Sequence, residues 1–207
     1  MMLLPHRSSR EKEQIHQPPP EPSPADLNAW MERMSAGDTR ALELLFQALY
    51  VPLCAFAQTI VRSASAAEDV VGETFLKLWM HREKIHVRGA VKNYLYMAVR
   101  NTAISQLKRS SRETYYIESY PAIAGGMHGS VANDAEECLR MEELSARVKD
   151  AIERLPRRAQ QTYVLYYQHH MSYAEIARVM GVSVKTVENQ LARALRILWS
   201  RLEDLFQ

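Results

Sequence analysis

The sequence predicts an all-α protein: two small helical domains joined by a flexible linker, the C-terminal one a helix-turn-helix. Three observations carry that expectation. Apolar residues recur at spacings of three and four along most of the chain, and no segment sustains the alternation of a half-buried strand. The periodicity fails between Ser110 and Ala135, where Pro121, Gly125-Gly126 and Gly129 stand among scattered Ser, Tyr and Asp. Near the C-terminus a short capped helix, a glycine turn and a second capped helix follow one another.

Residues 1–25 read as a disordered N-terminal extension, because Gln17-Pro18-Pro19-Pro20-Glu21-Pro22-Ser23-Pro24 lacks ladder donors and has little to bury. Met1 to Leu4 is too short an apolar start for a signal peptide. No apolar stretch is expected to reach the roughly 20 residues that cross a bilayer.

A first domain is expected over residues 26–112. Leu42, Leu45, Phe46, Leu49, Leu53, Phe56, Ala57 and Ile60 form an apolar stripe of about five turns, which Pro52 should kink or split. A second helix runs from about Ser65 to His81 with Val70, Val71, Phe75, Leu78 and Trp79 inward, and a third begins near Val91. Its buried side carries Tyr94, Leu95 and Ala98. A flexible acidic linker is placed at 113–140, and the second domain at 141–207. There Pro156 ends one helix at Leu155, and Arg157 to Gln168 forms the next with Tyr163, Val164 and Tyr167 inward.

Ser172-Tyr173-Ala174-Glu175 is a capping box that starts a short helix holding Ile176, Ala177 and Met180. Gly181 supplies the left-handed residue that ends it. Ser183 caps a final helix with Val187, Leu191, Ala194, Leu195, Leu198 and Leu202 inward.

In such a motif the second helix enters the DNA major groove. Its early residues here are Ser183, Val184, Lys185, Thr186, Glu188, Asn189, Gln190 and Arg193. Asn189 and Gln190 suit bidentate reading of adenine, and Glu188 suits a cytosine amine. Lys185 and Arg193 suit phosphate or guanine. Charge distribution agrees. The net charge is only +2, but residues 26–112 carry twelve Lys/Arg against eight Asp/Glu. Residues 113–145 carry one against seven, and residues 146–207 ten against six. Two basic blocks around an acidic stretch fit two nucleic-acid-facing domains and a repelled linker.

Ala67-Glu68-Asp69-Val70-Val71-Gly72-Glu73-Thr74-Phe75-Leu76-Lys77-Leu78-Trp79 resembles the polymerase-binding helix in region 2 of extracytoplasmic-function sigma factors. Val91-Lys92-Asn93-Tyr94-Leu95-Tyr96-Met97-Ala98-Val99-Arg100-Asn101 follows at the expected distance and is similar to that family's promoter-melting segment. Ala151 through Leu202 resembles region 4. The resemblance implies that Glu68, Asp69 and Glu73 dock on a coiled coil of core RNA polymerase, flanked by Leu76 and Lys77. It implies that Asn101 lines a pocket for a flipped promoter base, and that Lys92, Arg100, Lys108, Arg109 and Arg112 track the strand. Tyr94 is read as core; Tyr96 is read either as base-stacking or as core. Two residues depart from the family: Gly72 stands where glutamine is usual, and Ser105 where aspartate is frequent.

The implied partners are core RNA polymerase, promoter DNA and an anti-sigma factor, in the cytoplasm, with no cofactor, no metal and no small-molecule substrate. The competing reading is a stand-alone helix-turn-helix regulator that needs no polymerase. An enzyme is disfavoured, because the sequence has no Gly-rich phosphate loop or nucleophile elbow. Cys54 and Cys138 are too far apart for zinc spacing, and His169-His170 reads as a helix end.

Overall fold

The computed structural model describes residues 22–87, 89–113 and 135–203, with side chains described outside 110–113 and 135–141. Eight α-helices and no strand occur among the described residues. The expected extension over residues 1–25 lies outside them as far as residue 21, and so does the linker over 114–134. Arg112 is on a helix, but its side chain is outside the described set.

Helix α1 (Pro24–Ser35) begins earlier than the sequence suggests, because Ser23 caps it, Pro24 takes the first position and Asp26 closes a capping box. Asp38 caps α2 (Thr39–Val61) through the amides of Arg40 and Ala41. Contrary to expectation α2 is not split at Pro52: one helix runs through it. Leu45, Leu49, Leu53, Phe56 and Ile60 are buried on both sides of the proline, and at about 1.5–3 kcal/mol per large side chain that burial outweighs one missing hydrogen bond.

Ser63 caps α3 (Ala64–Met80), which lies along α2 and buries Val70, Val71, Phe75 and Leu78. A single 3₁₀ turn (Arg82–Lys84) leads to α4 (Val91–Glu113). Asn28 on α1 accepts from the Val91 amide (3.2 Å), capping α4 from a distant part of the chain. Leu95, Tyr96, Val99 and Ala103 of α4 close the core against α2 and α3.

Helix α5 (Ala135–Glu153) is followed by α6 (Arg157–Tyr163), which runs into a π turn, Val164–Gln168. The sequence expects one α-helix here with Tyr167 inward. The wider turn shifts the phase, so Leu165 is fully buried and Tyr167 is 44% exposed. Then come α7 (Tyr173–Met180) and α8 (Val184–Leu202).

The two helical groups are packed together. Leu165, Met171, Ile176, Val179, Met180 and Val187 continue the core of α1–α4, and α7 lies on α4. A smaller cluster of Ala151, Leu155, Ala159, Ala194 and Leu198 joins α5, α6 and α8. Helix α2 corrects one further expectation: it is long and apolar enough to cross a membrane by length and composition. In the fold it is the central core helix, packed by α1, α3 and α4.

Candidate functional site

The helix-turn-helix is built by local chemistry. Ser172 Oγ accepts from the Glu175 amide, while Glu175 Oε2 accepts from the Ser172 amide (2.9 Å) and hydroxyl (2.7 Å). Gly181 has φ 64°, the left-handed conformation that its lack of a Cβ permits, and the Val182 amide closes the turn onto the Ala177 carbonyl. Ser183 caps α8 through the Thr186 amide, and the two hydroxyls lie 2.8 Å apart.

The structure sorts the eight candidates on α8. Val184, Lys185, Asn189 and Arg193 are exposed, with Lys185 3.0 Å from Glu188. Ser183 and Thr186 are engaged in the cap. Gln190 is half-buried, and its Oε1 lies 2.7 Å from the buried Thr162 hydroxyl, which also reaches the Arg158 carbonyl at 2.9 Å. One hydroxyl proton meets two acceptors, an arrangement satisfied when the Gln190 amide turns to donate its own N–H. Gln190 thereby braces α8 on α6. Arg196 is a further exposed cation on α8 that the sequence reading passed over.

On α4, Asn101, Lys108 and Arg109 are exposed and form one polar flank of its second half. Arg100 is half-buried; burial, with the like charge of Arg158 across the packed helices, pushes its guanidinium down. The first half of α4 is covered. Lys92 Nζ donates to the His169 carbonyl (2.8 Å), and Asn93 Nδ2 donates to Glu175 Oε1 (3.0 Å). Tyr96 is fully buried, its ring 5.3 Å from Phe56 and 5.0 Å from His169. In this arrangement Tyr96 is core and offers no face to a base, which corrects its place among the strand-contacting candidates.

One imidazole and one carboxyl mark this junction. Burial pushes the His169 imidazole down to about 4, with help from the charges of Lys92 and His170. Burial works to raise the Glu175 carboxyl, but the hydrogen bonds from Asn93 and Ser172 outweigh it and hold it below its ordinary value.

The docking candidates lie on α3. Glu68 and Asp69 are exposed, Leu76 is 59% exposed, and Glu73 pairs with Lys77 at 2.6 Å. Beside them an open apolar groove of about 300 Å³ runs between α2 and α3, lined by Leu42, Phe46, Phe75, Leu76 and Trp79. The sequence reading placed Phe46 inward, but it is 37% exposed on the wall of this groove. Its spacing within an apolar stripe gave no means to tell core from groove. Among the described residues no group of His, Cys, Asp and Glu is arranged to hold a metal ion.

Two family descriptions match the chain: sigma-70 region 2 over residues 45–113 and sigma-70 region 4 over residues 145–198. The chain is 28% identical to the ECF RNA polymerase sigma-E factor of Haemophilus influenzae, covering 86% of this chain and 95% of that one. It is 25% identical to a protein of Xanthomonas campestris described as a probable RNA polymerase sigma factor, RfaY, across 88% of this chain. That match spans only 45% of the Xanthomonas protein's length. Among solved structures, it is similar to the sigma factor RpoE of Bartonella quintana, crystallised with the anti-sigma factor NepR. That pair shares 25% identity with a TM-score of 0.55, covering 76% of this chain and 95% of the other.

Proposed function

The chain belongs to the sigma-70 family, in its extracytoplasmic-function branch, and on that premise we propose that it binds core RNA polymerase and directs it to specific promoters. Sigma factors as a family are not enzymes, and this chain acts by binding alone. Residues 26–112 form the region 2 domain, 113–140 the linker and 141–207 the region 4 domain.

The observation that carries the reading is the order of three built surfaces. An exposed acidic helix face beside an apolar groove (α3) precedes a helix with a basic flank (α4), and a capped helix-turn-helix (α7–α8) closes the chain. Glu68, Asp69 and Glu73, with Leu76 and Lys77 beside the groove, dock on polymerase. Asn101 captures a flipped base of the proximal element while Lys92, Arg100, Lys108, Arg109 and Arg112 hold its backbone. Lys185, Asn189 and Arg193 read the distal element as duplex, and Val184 and Glu188 supply apolar and acceptor contacts. Gln190 supports that helix from behind, its side-chain amide engaged by Thr162. The Bartonella relative was solved with an anti-sigma factor; a partner of that kind masks the same surfaces here. The work is done in the cytoplasm, where polymerase and promoter meet. A stand-alone regulator would use α7–α8 and leave the α3 face and its groove without a role.

The test is co-elution of the full chain with core RNA polymerase on size-exclusion chromatography, beside the Glu68→Ala/Asp69→Ala/Glu73→Ala variant. Binding by the wild type and its loss in the variant is the expected result. A folded wild-type chain that does not co-elute would overturn the reading.

A further inference from the structure

Gly72 is exposed in the middle of α3, a regular helix of 17 residues. Glycine is the poorest helix former after proline, so an exposed one in mid-helix weakens the element that carries it. Nothing inside the chain calls for it. The positive-φ glycines of the described chain are Gly37, Gly89 and Gly181, while Gly72 has ordinary helical backbone. A Cβ built on Gly72 meets nothing within 4 Å, so no neighbouring element presses close enough to exclude a side chain. What the glycine leaves is open space on the outer face of α3, in the midst of the residues assigned above to docking.

Its neighbours give that space a shape. Positions i, i+3, i+4 and i+7 of a helix surround one hollow, the unit into which a side chain of a second helix packs. On the outer face of α3 those positions are Asp69, Gly72, Glu73 and Leu76. Three corners carry side chains and the fourth is bare backbone, so the hollow is deeper on the Gly72 side. Its walls differ in chemistry. Exposed Leu76 is apolar and continues into the groove lined by Phe46, Phe75 and Trp79. Glu73 is neutralised by Lys77 at 2.6 Å. Asp69 and the adjacent Glu68 are exposed and have no ion-pair partner among the described residues.

We propose that Gly72 is a specificity-determining residue of the docking face. Its missing side chain opens the hollow to one long cationic side chain on a helix of core polymerase, whose stem lies on Leu76 and whose charge meets Asp69 and Glu68. That role rests on the polymerase-binding reading above and deepens it. Lysine or arginine suits both ends of the hollow, because the methylene stem covers apolar surface while the head reaches carboxylates. With a larger residue at position 72 the partner helix must stand off, and its contacts with Leu76 and the groove beyond loosen together.

Fold stability and docking should therefore move in opposite directions when position 72 is filled. Core RNA polymerase is titrated into the fluorescently labelled full chain and followed by anisotropy, and melting temperatures of the same variants are read by circular dichroism. Gly72→Ala and Gly72→Leu should both melt above the wild type. Both should bind polymerase more weakly, the alanine by about threefold and the leucine by about tenfold or more. Ala29→Leu places a leucine on the exposed side of α1, away from the docking face, and should bind as the wild type does. Asp69→Ala should lose less affinity in the Gly72→Leu background than in the wild type, because the cation it meets is already displaced.

A Gly72→Leu chain that binds polymerase as tightly as the wild type would overturn the role of Gly72. So would an Asp69→Ala loss of equal size in both backgrounds. If Gly72→Leu does not fold, Gly72→Ala, which adds one methyl to open space, decides. A wild-type chain that does not bind polymerase overturns the sigma reading and the role of Gly72 with it. A wild-type chain that binds, with both Gly72 variants matching it, overturns the role of Gly72 alone.

Discussion

Acidification should weaken this fold through His169 in particular. An imidazole in the unfolded chain takes up its proton near pH 6.5, but burial in the folded chain lowers that value to about 4. Between those values the unfolded state binds more protons than the folded state. Stability is therefore full above the unfolded value and is lost as the pH falls toward the folded one. The slope approaches about 1.4 kcal/mol per pH unit, and at pH 5 the accumulated loss from this one group is about 2 kcal/mol. Urea unfolding followed by circular dichroism at pH 7 and pH 5 measures it directly. The wild type should lose close to that amount, while His169→Gln, with no proton to take up, should lose much less over the same interval. A wild-type midpoint that does not move between the two pH values would refute the reasoning. So would a His169→Gln variant with an undiminished decline.

Gly72 lies exposed within α3, and a Cβ built there meets nothing within 4 Å; Gly72→Ala should stabilise the chain by about 1 kcal/mol, read as a higher melting temperature. His170 is exposed with φ 51°, a conformation that costs an L-residue about 1–2 kcal/mol. His170→Gly should therefore stabilise the chain by about 0.5 kcal/mol or more after glycine's entropic penalty, read as a higher urea midpoint. Thr162→Val removes the buried hydroxyl that braces Gln190 and should cost about 1–2 kcal/mol in stability. It should also weaken binding of the polymerase complex to promoter duplex, measured by fluorescence anisotropy, although Thr162 is buried away from the reading face.

What the sequence disclosed is what local chemistry decides. Ser172, Glu175, Gly181 and Ser183 act within four residues of themselves, so their caps and turn were readable before any fold was known. Boundaries set by packing were not. Pro52 looks like a break, and only the buried residues around it explain why α2 continues. The π turn at Val164–Gln168 moves Leu165 inward and Tyr167 outward, a change of phase that no regular helical spacing encodes. The long-range pairs lay furthest out of reach. Asn93 and Glu175 are 82 positions apart, and neither residue type announces the other. Tyr96 was left open between stacking and core, and the deciding neighbour, His169, belongs to the other domain.

Helix α4 is core and polar surface at once, and the fold divides those duties in two directions. Around its axis, Leu95, Tyr96, Val99 and Ala103 face the core while Asn101, Lys108 and Arg109 face outward. Along its axis, Lys92 and Asn93 of the first half meet the C-terminal helices, while the exposed Asn101, Lys108 and Arg109 lie further along. The exposed cations of α4 attract nucleic acid without reading sequence, while Lys92 is engaged on the His169 carbonyl and Tyr96 lies in the core. Glu175 ties α4 to the helix-turn-helix itself: the carboxylate that receives Asn93 also caps α7, one oxygen for each duty.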